Sequence, residues 1–154
     1  MANEFLKSIV FELNDEEYAL PVDLVGAIER MMPITRIPGA PVFVKGVLNL
    51  RGVVTPIIDL RERFSFEVKE YTDATRTIII QHNDMDVGLI VDAAYDVIDI
   101  PTESIEPAPE TVGSVKIDYI EGVCKYKERL LILLDIDEIL STDLFKQKAK
   151  ETTR

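Results

Sequence analysis

Histidine occurs once, at His82, and cysteine once, at Cys124. A hydrolytic triad needs a nucleophile, a base and an orienting acid held together. A thiolate or imidazole metal centre needs several Cys or His at fixed spacing. His82 stands beside Asn83-Asp84, a pair that turns hairpins, and reads as a surface turn residue rather than a base. Cys124 sits in a strand-like alternation and reads as a small buried hydrophobe. The chain has no HExxH, no CxxC and no phosphate-cradling glycine loop. Asp73, Asp84, Asp86 and Asp92 offer hard oxygen ligands, but their spacing matches no EF-hand loop, and turn and cap roles account for them. The expectation is a chain with no catalytic residues, no metal and no cofactor. A small metal-dependent enzyme of unrelated fold is the competing class, and it requires His82 or the aspartates to converge in one pocket.

Binding chemistry is better supplied. Arg51 interrupts a run of apolar strand residues just before Gly52. A guanidinium there needs an acidic partner or a place at an interface, because burying it unpaired is costly. An ordinary exposed arginine near a strand end is the plain alternative. Glu29, in Ile28-Glu29-Arg30-Met31, is the candidate partner. Val25, Leu50, Gly88 and Val97 are candidates for the wall of a groove, the glycine because it lets another backbone come close. A shallow apolar groove flanked by an ion pair would accept one face of an amphipathic helix. Each of these aliphatics would equally serve as plain core.

The bulk properties bound what such a site can serve. The 154 residues suit one ordinary domain, or two small ones sharing a core. The longest purely apolar run, Leu130 to Leu134, is far below the roughly 20 residues of a spanning helix. Glu4 stands where a signal peptide would carry Lys or Arg. The expectation is a soluble, cytoplasmic protein. A net charge of −11 argues against nucleic acid and against anionic lipid, both of which call for clustered Lys and Arg. Lys146, Lys148, Lys150 and Arg154 are interleaved with Gln, Ala and Thr, and read as a solvated tail over 142–154.

The elements that must carry the groove are mostly strands. Ser8 to Leu13 ends at the turn pair Asn14-Asp15, and Tyr18 to Val22 returns. Gly46 to Arg51 pauses at Gly52 and continues from Val53 to Leu60. Thr77 to Gln81 turns at His82-Asn83-Asp84 into Val87 to Val91, and Val97 to Ile100 follows. Ile117 to Tyr126 and Leu130 to Leu134 form a last pair, turned at Lys127-Glu128. Short helices are expected after Asp23, Asp59 and Asp135, each Asp an N-cap, with a further turn near the C-terminus. Pro33 to Pro41 and Pro101 to Pro109 read as shaped loops.

The chain also aligns with itself. A shift of 69 lays Ser8-Ile9-Val10-Phe11-Glu12-Leu13-Asn14-Asp15 on Thr77-Ile78-Ile79-Ile80-Gln81-His82-Asn83-Asp84, and Asp23 on Asp92. A shift of 76 lays Gly46-Val47 on Gly122-Val123 and Ile57-Ile58-Asp59-Leu60 on Leu133-Leu134-Asp135-Ile136. Each half is marginal alone, so the pair is expected to share a hydrophobic seam. The predicted fold is all-β: two small, similar barrels packed side by side, with a few short helices and a groove between them.

The segment Val44-Lys45-Gly46-Val47-Leu48-Asn49-Leu50-Arg51-Gly52-Val53-Val54-Thr55-Pro56-Ile57-Ile58-Asp59-Leu60-Arg61 resembles the signature of CheW-like domains. Thr35-Arg36-Ile37-Pro38, Val87 to Asp92 and Arg129 to Asp135 resemble the same family. The likeness covers residues 5–141, expected as one domain with subdomains at about 5–65 and 75–141. The resemblance implies a pair of SH3-like five-stranded β-barrels without catalytic activity. It implies an adaptor that bridges the cytoplasmic tip of methyl-accepting chemotaxis receptors and the regulatory domain of the histidine kinase CheA, and that is recruited to membrane-associated receptor arrays. Arg51 falls on the family's NLRG arginine, associated with the receptor-facing groove. Gly88 falls on the glycine of the family's VG-x-VD strand, and Val25 and Val97 fall on hydrophobic groove positions. Many relatives carry a Val-x-Glu pattern where Val25 is followed here by Gly26 and Ala27, so Glu29 takes that role only with a gap. No residue is assigned to the kinase contact. The same fold also occurs as a domain within larger chemotaxis proteins. The starting Met1 and the short tail favour the free-standing adaptor.

Overall fold

In the computed structural model, which describes residues 4–110 and 115–141, the chain forms two sheets. Its strands are β1 (Phe5–Leu13), β2 (Glu16–Pro21), β3 (Val25–Arg30), β4 (Val44–Leu50), β5 (Val53–Asp59), β6 (Arg76–His82), β7 (Met85–Val91), β8 (Ala93–Pro101), β9 (Ile105–Glu106), β10 (Ile120–Tyr126) and β11 (Arg129–Leu134). Two one-turn helices, α1 (Leu60–Arg63) and α2 (Ile136–Ile139), follow β5 and β11.

Two-residue turns close the hairpins β1–β2, β4–β5, β6–β7 and β10–β11, with positive φ at both turn positions: Asn14 and Asp15, Arg51 and Gly52, Asn83 and Asp84, Lys127 and Glu128. That is the primed turn whose twist matches the strands it joins, and Asn, Asp and Gly enter it at least cost. Asp59 and Asp135 cap α1 and α2, accepting from the amides of Arg61 (2.9 Å) and Glu138 (3.3 Å). Asp23 does not cap a helix. It lies inside a one-turn 3₁₀ segment, Val22–Leu24, whose N-cap position is held by Pro21. The predicted strand over Ile117 to Tyr126 begins with another such turn, Ile117–Tyr119, and becomes extended only from Ile120. The second proline-rich loop contains β9, which pairs with β10. The C-terminal turn and tail expected over 142–154 lie outside the described residues.

One sheet runs β8-β1-β2-β11-β10-β9 and the other β3-β6-β7-β5-β4. Each therefore takes its first hairpin from one half of the sequence and its remaining strands from the other. The subdomain ranges expected at about 5–65 and 75–141 do not match the sheets: residues 5–21 pair with β8 and β11, while β3 to β5 share a sheet with β6 and β7. The duplication itself holds down to the register. The parallel pair Ile57↔Gly88 has its counterpart in Leu133↔Ala19, and Ile28↔Ile78 in Val97↔Ile9. Even the irregularities repeat, at Val25/Ala27 with Val10/Phe11, and at Val44/Gly46 with Ile120/Gly122.

Alternation within each strand sends one face to a seam between the sheets and the other to a smaller core inside each sheet's curl. Phe11, Tyr18 and Leu20 of one sheet meet Ile58, Ile78 and Leu89 of the other in the seam. Val10, Ala19, Ile98 and Cys124 fill the first curl. Leu48, Ile57 and Ile90 fill the second, covered by Met31 and Met32. The duplicated helices meet across the pseudo-axis. Arg63 of α1 donates to the carbonyl of Ile139, its own counterpart in α2, at 2.7 Å, and lies 4.9 Å from the ring centre of Tyr119.

Candidate functional site

The six residues that suggested a groove are placed as follows. Arg51 occupies the first position of the β4–β5 turn, exposed, with φ 54°. It is presented by the tightness of the hairpin and not buried among the apolar residues that precede it. Leu50, the last residue of β4, is half-buried and packs beside Leu48 in the second curl. Val25 opens β3 opposite Ile80 and packs on the seam. Glu29 is half-buried opposite Thr77 on the same strand. Strands β3 and β4 are opposite edges of one sheet, and among the described residues no ion pair joins Glu29 to Arg51. Val97 lies on β8, the edge of the other sheet, and is 55% exposed.

Gly88 differs from its expected role. It is buried, and a Cβ built on it would stand 2.6 Å from Ile57 Cδ1 and 2.8 Å from Thr77 Cγ2. Its missing side chain makes room for this chain's own core, not for another backbone. Its counterpart Ala19 has a Cβ. Thr77, and Ile79 whose Cδ1 lies 3.3 Å from the built Cβ, have the smaller counterparts Ser8 and Val10.

Two charged clusters went unread in the sequence. Asp92, at the crossover from β7 to β8, takes a bidentate pair from Arg61 (2.8 and 2.6 Å) and the amide of Asn14 at 2.9 Å. Its own amide donates to the carbonyl of Glu12. The cluster ties α1 to the turn of β1–β2, joining the sheets at that crossover. Burial alone would raise the Asp92 carboxyl, but the Arg61 guanidinium, the Asn14 amide and the charge of Lys69 hold it below the usual carboxylate range. In the first sheet, Arg129 at the start of β11 grips Glu17 of β2 (3.0 and 2.6 Å), and Tyr95 of β8 donates to Glu17 at 2.8 Å. The Arg129 hydrogen bonds lower the Glu17 carboxyl against a smaller desolvation effect, with Tyr95 helping. These groups satisfy one another, and their chemistry is that of clamps. His82 lies 3.4 Å from Asp137 of α2 at the hairpin turn.

Sequence reading also missed Ile28. It is 40% exposed on edge strand β3, and it is the counterpart of Val97 under the shift of 69. The self-alignment was signal enough to find it. With Val97 it presents an apolar side chain at the same place on each sheet's edge.

The family model described as CheW-like domain matches residues 7–144. A chemotaxis protein CheW of Bacillus subtilis is 46% identical over 137 residues, covering 89% of this chain and 88% of that protein. One from Klebsiella aerogenes is 39% identical over 143 residues, covering 93% and 84%. The crystal structure of the scaffolding protein TtCheW from Thermoanaerobacter tengcongensis superposes with a TM-score of 0.85 at 33% identity, covering 90% of this chain and 94% of that one.

Proposed function

The chain belongs to the CheW-like domain family and has its fold of two SH3-like subdomains, and on that premise we propose that it is a non-enzymatic coupling adaptor. In this reading it holds the cytoplasmic tip of methyl-accepting chemotaxis receptors in an apolar groove that includes Val25, Glu29, Leu50, Arg51 and Val97. It holds the regulatory domain of the histidine kinase CheA through the end of a barrel, since that domain has the same fold. Tying both partners into one assembly raises their effective concentration and lets receptor conformation bias the kinase. It acts in the cytoplasm at receptor arrays. In the described residues no helix is long and apolar enough to cross a membrane.

The observation that carries the reading is the family match across nearly the whole chain, together with the exposed position of the NLRG arginine. A guanidinium at the tip of a tight turn, outside the core, is free to recognise a partner.

Calorimetric titration against a receptor-tip fragment and against the isolated CheA regulatory domain tests it. Alanine at a positive φ adds strain of its own, so Arg51→Asn, which tolerates the turn, is the cleaner substitution. The expected outcome is binding of both partners by the unaltered chain, with at least tenfold weaker receptor binding and unchanged kinase binding in Arg51→Asn. Equal loss toward both partners would reject the groove assignment, and binding of neither would reject the coupling role.

A further inference from the structure

Between β3 and β4 the chain runs through Pro38-Gly39-Ala40-Pro41 and borders a half-open cavity of about 670 Å³ against Tyr71. That volume is within the range of sites that take small ligands or short peptide stretches. Ile34, Ile37 and Pro41 supply an apolar wall, and Arg36, Lys45 and Tyr71 the polar groups. The polar groups differ in what they have left to offer. Lys45 is committed to Glu62, and the Tyr71 hydroxyl donates to Asp59 at 2.9 Å. Arg36 is exposed and joins no ion pair among the described residues. Among the described residues the cavity therefore has one uncompensated cation beside an apolar wall.

The fold does not require this arrangement. Lys45 corresponds under the shift of 76 to Glu121, an acid, in the other sheet. The rim is also stiff: Pro38 and Pro41 fix φ, and the backbone of Thr35 is pinned to Val47 by two hydrogen bonds of 3.0 and 2.8 Å. A preformed rim spares much of the ordering cost of binding. The cavity adjoins the start of β4, whereas Arg51 follows its end, about 20 Å further along the strand. It is thus remote from Arg51, while Ile34 packs on the same small core as Leu50, and the inference does not depend on the coupling reading.

We propose that this cavity binds a peptide segment of a partner protein carrying an apolar anchor next to a single carboxylate, with the anchor on Ile34, Ile37 and Pro41 and the carboxylate on Arg36. A bidentate arginine–carboxylate pair suits one carboxylate. A segment rich in acids would be repelled by a chain of net charge −11.

The test is amide chemical-shift mapping on the ¹⁵N-labelled full chain. The probe is a capped pentapeptide with adjacent leucine and phenylalanine followed by one glutamate, and its control carries glutamine instead. Saturable shifts confined to residues 34–45 and 71 are expected, with at least tenfold weaker binding of the glutamine peptide. Arg36→Ala, at an exposed position, is expected to weaken the glutamate peptide by the same factor and leave the glutamine peptide unchanged. Absence of saturable shifts in this segment at millimolar peptide would overturn the proposal. So would equal affinity for the two peptides, or indifference to Arg36→Ala. Octanoate saturating the same amides as tightly as the peptide would overturn it in favour of a small-amphiphile site.

Discussion

Asp59 shows how much one side chain settles locally. One carboxylate oxygen accepts from the amide of Arg61 and caps α1, while the other accepts from Tyr71 at the wall of the loop cavity. Burial pushes its carboxyl above the usual range, against these two hydrogen bonds, and pushes the Tyr71 phenol up as well. Removing the cap by Asp59→Ala should cost about 1–2 kcal/mol, read from urea unfolding at pH 7. Asn is an equally good cap and carries no charge to desolvate, so Asp59→Asn should be close to neutral. The pH dependence separates the two effects. A folded value above the unfolded value of about 3.9 means that the native state binds more protons between them, and stability falls as pH rises through that window. The unaltered protein should therefore lose stability relative to Asp59→Asn as pH is raised from about 4 to 7. A constant difference over that range would reject the burial effect. The capping role was legible in the sequence, because an N-cap depends on near neighbours. The tie to Tyr71 was not, because it depends on where a loop returns.

Among the elements, the crossovers and the glycine strand carry the physics that sequence reading could not reach. Alternation along β7 says which residues share a face but not which strand lies alongside. Gly88 therefore looked like an opening for a partner, when Ile57 and Thr77 from neighbouring strands already fill the space. Gly88→Ala should destabilise by about 1–3 kcal/mol through overpacking. Its signature is a lowered melting temperature with receptor affinity unchanged wherever the protein remains folded. Lost affinity with unchanged melting would return Gly88 to the groove. The Arg61–Asp92 clamp makes a second element-scale case. Its arginine is largely buried, with 8% of the side chain exposed, while Asp92 keeps 26%. Arg61→Leu leaves Asp92 without its charge partner and should cost about 2 kcal/mol at pH 7, below the figure for a fully buried pair because Asp92 reaches solvent. The Asp92 carboxyl is held low in the folded state, so the stability it contributes is present above the unfolded value near 3.9 and is lost as pH falls through the folded value. The penalty of Arg61→Leu should accordingly shrink as unfolding is repeated from pH 7 down to 3. A pH-independent penalty would assign the loss to packing of the arginine stem instead.

At the scale of the whole molecule, the duplication was legible because the two shifts align turns, glycines and aspartates in order. The exchange of hairpins was not, since both a swapped and an unswapped pair of barrels satisfy the same alternation. The exchange has a consequence for folding. The pairings β1–β8, β2–β11, β3–β6 and β5–β7 all join one half of the sequence to the other. Among the described residues of the first half only the hairpins β1–β2 and β4–β5 and the bridge Thr35↔Val47 remain, and a hairpin without further strands is marginal in water. Neither half can then close a sheet alone, although both contribute residues to the core. Fragments 1–70 and 71–154, divided in the exposed loop between α1 and β6, should each lack dispersed amide resonances when purified separately. Mixed at equal concentration, they should recover the spectrum of the intact chain, with a midpoint of unfolding that rises with concentration as for any bimolecular association. An unswapped pair of barrels predicts the reverse, two fragments that fold separately and associate only through the seam. Independent folding of either fragment would therefore show that the strand exchange is not what holds the halves together.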